Sequence, residues 1–409
     1  MNYLVKKMYK KFINKFFFNT NTFLSIVIIL FFAIPIYFSE AVGRITSDYT
    51  FHVNLAEKII ETKALLVPHF LYHLLIIFTS LLIPQITLKF AGYYIVPLFC
   101  YLVLGIVISN NITEVTGKPK LYKHSIFIVI VTLSLMIVTP INFITWPNLY
   151  LGYIGINVYH NPTVTLVKPL SLLSFLYITK ILSNEYKSSL SRTMNLKLFI
   201  LTTLSLISKP SYYICLLPSL FLYLGYKLLS KNKRISWLGI MVGVLVPAVT
   251  ILFWQYSITY GANQALQEKS SIVFAPFIVM NHLSSLAKSN FYYLNILQKF
   301  ILSVTFPAFV YILYFKEARK DLRLNFAWLN FAVSAFYTYF LAEAGSRMFH
   351  GNFTWSGQIC LFILFFCSTI FIISRFKTDN INIKCLICAF IFILHLISGL
   401  LFYGYPNSW

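Results

Sequence analysis

The chain reads as long apolar runs separated by short polar links, and this alternation continues from end to end. Helical runs of about 18 to 22 residues match a hydrocarbon core of about 30 Å, and in lipid only helices or closed barrels satisfy their own backbone groups. Twelve runs are predicted, over 22–39, 67–84, 92–110, 124–143, 163–183, 196–209, 211–229, 236–257, 295–315, 324–342, 357–375 and 385–404. No stretch is left for a large soluble domain. The expected fold is an all-α polytopic transmembrane helix bundle of about 11 to 13 helices, one domain over 1–409. Its longer links are 40–66, 258–294 and 343–356.

Composition agrees: 58% of residues are hydrophobic and 11% charged, which excludes an ordinary soluble protein. A net charge of +22 would otherwise raise nucleic acid as a partner. Here the basic residues gather in short links such as "KNKR" (231–234) and "KEARKDLR" (316–323), the pattern of cytoplasmic loops, so no nucleic acid is expected. The remaining excess suits anionic membrane lipids. Six cysteines include "CLIC" at 385–388, but all sit in apolar runs without a second ligand pair, which reads as packing.

Charge also sets the topology. Lys6, Lys7, Lys10, Lys11 and Lys15 place the N-terminus in the cytoplasm, with the first run an anchor. Working back from basic links at the other end puts the C-terminus outside. Those two ends require an odd number of crossings, so either one of the twelve runs does not span or a further crossing is hidden. The two suspects are the segment beginning "VPHFLYHLL" at 67, as an interfacial helix, and the re-entrant stretch 146–163.

Carboxylates are scarce, eleven in 409 residues, and four of them lie in "SEAVGRITSDYTFHVNLAEKIIE" (39–61). The first outer link reads as an amphipathic helix from Asp48, with Ser47 as N-cap and Phe51, Leu55 and Ile59 on one face. Asp48 and His52 then share a face, a carboxylate beside an imidazole at the membrane surface. Glu57 and Glu61 read as solvated. On the outer side the other candidates for a general base are Glu40, Glu268 and Glu343, whereas Glu185, Glu317, Asp321 and Asp379 fall in basic links.

A second constellation, "LAEAGSRMFHGNFTWSGQ" (341–358), supplies Glu343, Arg347, His350, Asn352 and Trp355. Arg347 offers the planar fork that grips phosphate, Trp355 a face for a sugar, and His350 and Asn352 hydrogen bonds to hydroxyls. The bland alternatives are a helix-capping ion pair and an interfacial anchor. "NVYHNPTVTLVKP" (157–169) contributes His160 and Lys168, and "ISKPSYY" (207–213) contributes Lys209, each lysine either snorkelling or lining a cationic cavity. His69 and His73 lie one turn apart and read as helix packing or polar contacts rather than metal ligands.

"SDYTFH" just past the first crossing, followed by "VPHFLYHLL", resembles the first outer loop of the GT-C superfamily of membrane glycosyltransferases. That resemblance covers about the first 75 residues and the general architecture. It implies that Asp48 is the base activating an acceptor hydroxyl while a polyprenyl-phosphate-linked sugar donor is displaced with inversion. It further implies a glycan or glycolipid acceptor and a bacterial inner membrane setting, with the active site on the extracytoplasmic side. Many members carry an Asp-x-Asp or Asp-Glu pair for a divalent cation; the lone Asp48 leaves that cofactor open and assigns no metal ligand. Two alternatives remain. O-antigen polymerases of the Wzy type are similar in size but rely on outer arginines, of which Arg44 and Arg347 are the clear ones here. Lipid-linked oligosaccharide flippases also have about twelve helices, yet rarely need long outer links. A channel or receptor lacks a filter, a voltage-sensor helix and a signalling domain.

Overall fold

The computed structural model describes residues 20–30, 48–117, 122–143, 151–183, 192–230, 237–260, 271–286, 294–378 and 382–404. The chain is an all-α polytopic bundle and a membrane protein. Among the described residues six stretches are long and apolar enough to cross a bilayer, for example Leu88–Thr116, Pro162–Leu182 and Ile383–Gly404.

In chain order the helices are α1 (Thr20–Ile28), α2 (Asp48–Thr62), α3 (Leu71–Leu82), α4 (Leu88–Thr116), α5 (Tyr122–Ile137), α6 (Pro162–Leu182), α7 (Arg192–Ser208) and α8 (Tyr213–Leu229). Then come α9 (Trp237–Ile240 continuing through Val246–Tyr260), α10 (Ile278–Leu286), α11 (Ile296–Leu313), α12 (Phe315–Ala318), α13 (Leu322–Phe340), α14 (Thr354–Thr378) and α15 (Ile383–Gly404). Two three-residue strands, β1 (Ile272–Phe274) and β2 (Leu341–Glu343), pair antiparallel, Ile272 opposite Glu343. Both α4 and α9 contain a π turn, Ala91–Ile95 and Met241–Leu245, directly before a Val-Pro pair. Pro97 and Pro247 carry no N–H for the ladder, and a wider turn before each proline accommodates the missing bond.

One suspect of the parity conflict is α3. Its twelve residues rise about 18 Å, too short for the hydrocarbon core. It also turns back: the Tyr72 hydroxyl donates to the Gly92 carbonyl at the head of α4, and Gly92 lies against Val53 of α2 and Ile76 of α3. A side chain at 92 would push these elements apart. Run 67–84 therefore contains a short helix packed against α2, not a helix long enough to cross. The second suspect is also irregular. Residues 138–143 and 151–161 are non-helical yet almost wholly buried, as lipid-depth irregular backbone must be.

That buried stretch forms a floor. Ile154 N–H donates to Ser303 of α11, Asn142 N–H to Ser398 of α15, and Thr139 carbonyl meets His395. The Asn157 amide donates to the Leu135 and Val138 carbonyls, and Tyr403 donates to the Asn157 carbonyl. Lys168, predicted as a cavity cation, is spent here: its ammonium donates to Asn157 Oδ1 (2.9 Å) and the Ile156 carbonyl (3.3 Å) and rests on the Tyr159 and Phe362 rings. At the end of the bundle away from the floor, Lys377 donates to the Val115 carbonyl and Asp321 caps α13. That end therefore holds Glu114, Glu317 and Asp321.

Candidate functional site

Four remote segments bring polar side chains to the end of the bundle that carries the floor. Asp48 opens α2, His160 and Asn161 lead into α6, Lys209 sits in the turn between α7 and α8, and Trp355 opens α14. Asn161 is the joint. Its Oδ1 accepts from Val164 N–H (3.1 Å) and from the Thr163 hydroxyl (2.7 Å), the pattern of an N-cap ahead of Pro162. Its Nδ2 donates to Asp48 Oδ2 at 3.0 Å. Lys209 Nζ donates to the same Thr163 hydroxyl (3.2 Å) and lies 5.1 Å from the Trp355 ring centre. His160 packs against the other side of this group, 5.6 Å from Trp355.

A carboxylate and an ammonium are thus linked through two short polar side chains without touching each other. Both are half-buried. Burial pushes the Lys209 amine down to about 8, and Asp48 partly counters that. His160 is also lowered by burial, with Asp48 raising it and Lys209 lowering it, so it feels both charges. Among the described residues the Asp48 carboxylate takes one hydrogen bond, on Oδ2, which leaves Oδ1 for a ligand.

The other predicted residues form neighbours of this group. His52 does not pair with Asp48; its Nδ1 meets His73 Nε2 at 2.9 Å inside the α2–α3 contact. The buried residues of α2 are Tyr49, His52, Val53, Leu55, Ala56 and Ile59; of the predicted face Leu55 and Ile59 are buried and Phe51 faces outward. Ser47 lies outside the described residues, as do Glu40, Arg44 and Glu268. Glu57 and Glu61 are exposed. Glu343 holds Arg347 at 3.1 Å and accepts from Asn352 at 2.6 Å, a compact cluster after β2; His350 ends its turn exposed. Gly351, at φ 65°, makes the reversal into α14, where the Thr354 hydroxyl donates back to the Gly351 carbonyl and Trp355 follows beside Lys209. His69 lies between the two clusters: burial, Lys209, His73 and Arg347 together push it down to about 3.

Asn161 and Thr163 are the members that sequence reasoning did not single out, although "YHNPT" contains both. Asn before Pro at a helix start reads as an ordinary cap, and only the fold shows its amide facing Asp48. No family model, curated protein or solved structure matches the chain. Function must be argued from these side chains alone.

Asp48 is the one carboxylate of this group. Among the described residues no three His, Cys, Asp or Glu side chains converge. The cation Lys209 stands three hydrogen bonds from Asp48 and would oppose a second positive charge.

The buried histidines carry a stability signature. Burial, then His73, Lys209 and His69, push His52 down to about 2. In the unfolded chain its value is near 6.5, so between these limits the unfolded state binds more protons and stability rises with pH. Acidification from pH 7 to 5 is expected to lower Tm, with His52 alone contributing up to about 2 kcal/mol. His52→Gln should flatten that dependence in a thermal melt series.

Proposed function

We propose that the chain is a membrane glycosyltransferase of GT-C-like architecture. It moves a sugar from a polyprenyl-phosphate-linked donor to a hydroxyl on a glycan or glycolipid. The observation that carries this reading is Asp48 held on one oxygen by Asn161, with Lys209 and Trp355 on the far side of Thr163. The open oxygen of Asp48 takes the acceptor's proton as its hydroxyl oxygen attacks the anomeric carbon. The carbon–oxygen bond to the carrier phosphate breaks, and the electron pair leaves with the phosphate. Charge developing there is offset by the Lys209 ammonium, a preorganised positive group in a partly dry site. Trp355, beside Lys209 and His160, would contact a pyranose, and Arg347, paired with Glu343, would meet a carrier. No step is routed through a metal. In this reading the site faces the extracytoplasmic side of a bacterial inner membrane.

Purified protein in lipid nanodiscs, given labelled polyprenyl-phosphate sugar and candidate acceptors, tests this. Transfer supports the reading. Movement of labelled lipid across vesicles without product identifies a flippase instead, and extension of a lipid-linked repeat in blocks identifies a polymerase.

Asn161 permits a sharper check, because its two jobs separate. Serine caps a helix as well as asparagine does, but its hydroxyl is too short to reach Asp48. Asn161→Ser is expected to keep Tm within about 1 °C while lowering kcat by about tenfold to a hundredfold through misplacement of the base. Asn161→Ala should lose the cap as well, at about 1 kcal/mol.

A further inference from the structure

Residues 271–286 form a strap that the proposed chemistry does not use. β1 is zipped to β2, and the pairing continues past the strands: Ala275 N–H donates to the Phe340 carbonyl (2.8 Å), Phe277 N–H to the Tyr339 carbonyl (2.6 Å), and Ala344 N–H to the Ser271 carbonyl (2.7 Å). One side of the strap packs inward, where Ala275 and Val279 meet Ala342 with Val273 and Met348 against them. Farther along, Ser284 accepts from Lys299. The opposite side carries large apolar groups into the open, Phe274 being 67% exposed with Ile272, Phe277 and Ile278 beside it.

This face is continuous with the outer wall of the bundle. On α13, Ala332, Phe336 and Phe340 recur at spacing four along one stripe, the first two exposed. Phe340 stacks on Phe336 at 5.1 Å and on Phe274 at 5.9 Å, and Phe277 meets it at 5.1 Å. The aromatic surface passes from helix wall to strap without a polar break. Phe277 holds φ at 61°, a conformation that non-glycine residues rarely adopt, and this strained backbone turns its ring onto the stripe. Past β2 in the chain, Arg347 is paired with Glu343 at 3.1 Å and His350 is exposed. A continuous aromatic row over helix and strap is the profile of an element seated at a membrane–water boundary.

We infer that the strap is a lipid-inserted element: its Phe274–Phe277 face lies in the acyl region of the leaflet at the site end, and Arg347 sits at the level of the lipid phosphates. The occupant is the bilayer itself, because the face continues the exposed apolar stripe of α13 in a membrane protein and runs onto it ring against ring. A soluble partner would not require that continuity.

Footprinting of wild-type protein in phosphatidylcholine–phosphatidylglycerol vesicles decides this. One arm uses a lipid-phase diazirine, the other water-phase hydroxyl radicals, and peptides are read by mass spectrometry. The strap peptide is expected to take up diazirine within about twofold of the 332–336 stripe, and at least about fivefold above the 345–350 turn. Strong radical oxidation of Phe274 with weak diazirine uptake overturns the inference. So does diazirine uptake that appears only when protein is diluted in the vesicles, since a second copy would then be the cover. The Phe274→Ser and Phe277→Ser pair is expected to lower strap labelling at least about threefold while the 332–336 signal holds, as loss of insertion rather than of fold. Unchanged strap labelling in that variant also overturns it. Neither arm depends on enzymatic activity, so a failed transferase assay leaves this result readable.

Discussion

Asp48→Asn is expected to abolish the proposed transfer, with kcat falling about a thousandfold and Tm unchanged, the scale expected when a positioned general base is lost. The substitution is nearly silent structurally. Asparagine keeps an oxygen where Oδ2 accepts from Asn161 Nδ2, so the 3.0 Å bond and the cap of α6 both survive. What disappears is the carboxylate that receives a proton. The measurement is a product assay on wild type and variant in the same nanodiscs, with melting curves alongside. Transfer retained at wild-type rate in Asp48→Asn would remove this carboxylate from the chemistry, even if the chain proved to be a transferase.

Lys209→Gln gives the second large effect, a loss of about a hundredfold or more in kcat as the charge opposite the departing phosphate vanishes. Stability is expected to move the other way. The amine is lowered to about 8 by burial, which means the folded state penalises its charged form at neutral pH. Glutamine can still donate toward Thr163 and carries no charge to desolvate, so Tm should hold or rise. Lost activity with gained stability is what a group kept for function rather than for folding produces. The wild-type pH profile adds a third reading. The ammonium is present below about 8 and lost above it, so transfer should decline as pH rises through that value. The Gln variant should show no such limb.

Much of this was legible in the sequence because the chain is so apolar. In a bundle with few charges, a lysine between two greasy runs or an aspartate at the head of a link stands out, and Asp48, Lys209, His160 and Trp355 were visible for that reason. Their convergence depends on helix order, which composition does not encode. Asn161 and Thr163 stayed hidden because a cap and a second ligand to a carboxylate look identical in one dimension. Lys168 misled in the opposite sense. It has the same residue type and the same depth as Lys209, yet the irregular backbone before α6 offers it two oxygens, and the floor takes it. Run 67–84 passed as a span because hydropathy counts residues and not helical rise. Only the Tyr72 contact with Gly92 shows the chain doubling back. His52 was assigned to Asp48 by one-turn spacing, but His73 from the neighbouring helix offered a buried partner, and tertiary contact outweighed local periodicity.

The floor beneath the site has a consequence for the cell as a whole. An enzyme that admits hydroxyls and phosphates at one face of a bilayer opens a wet notch in the insulation that holds a proton gradient. Here Leu135, Met136, Val138, Ile154 and Ile156 lie under that notch with almost no exposed surface. Among the described residues, carbonyls and amides of this stretch are met by Asn157, Ser303, Ser398, His395 and Tyr403. The stretch that looks least regular in the chain is therefore its electrical seal.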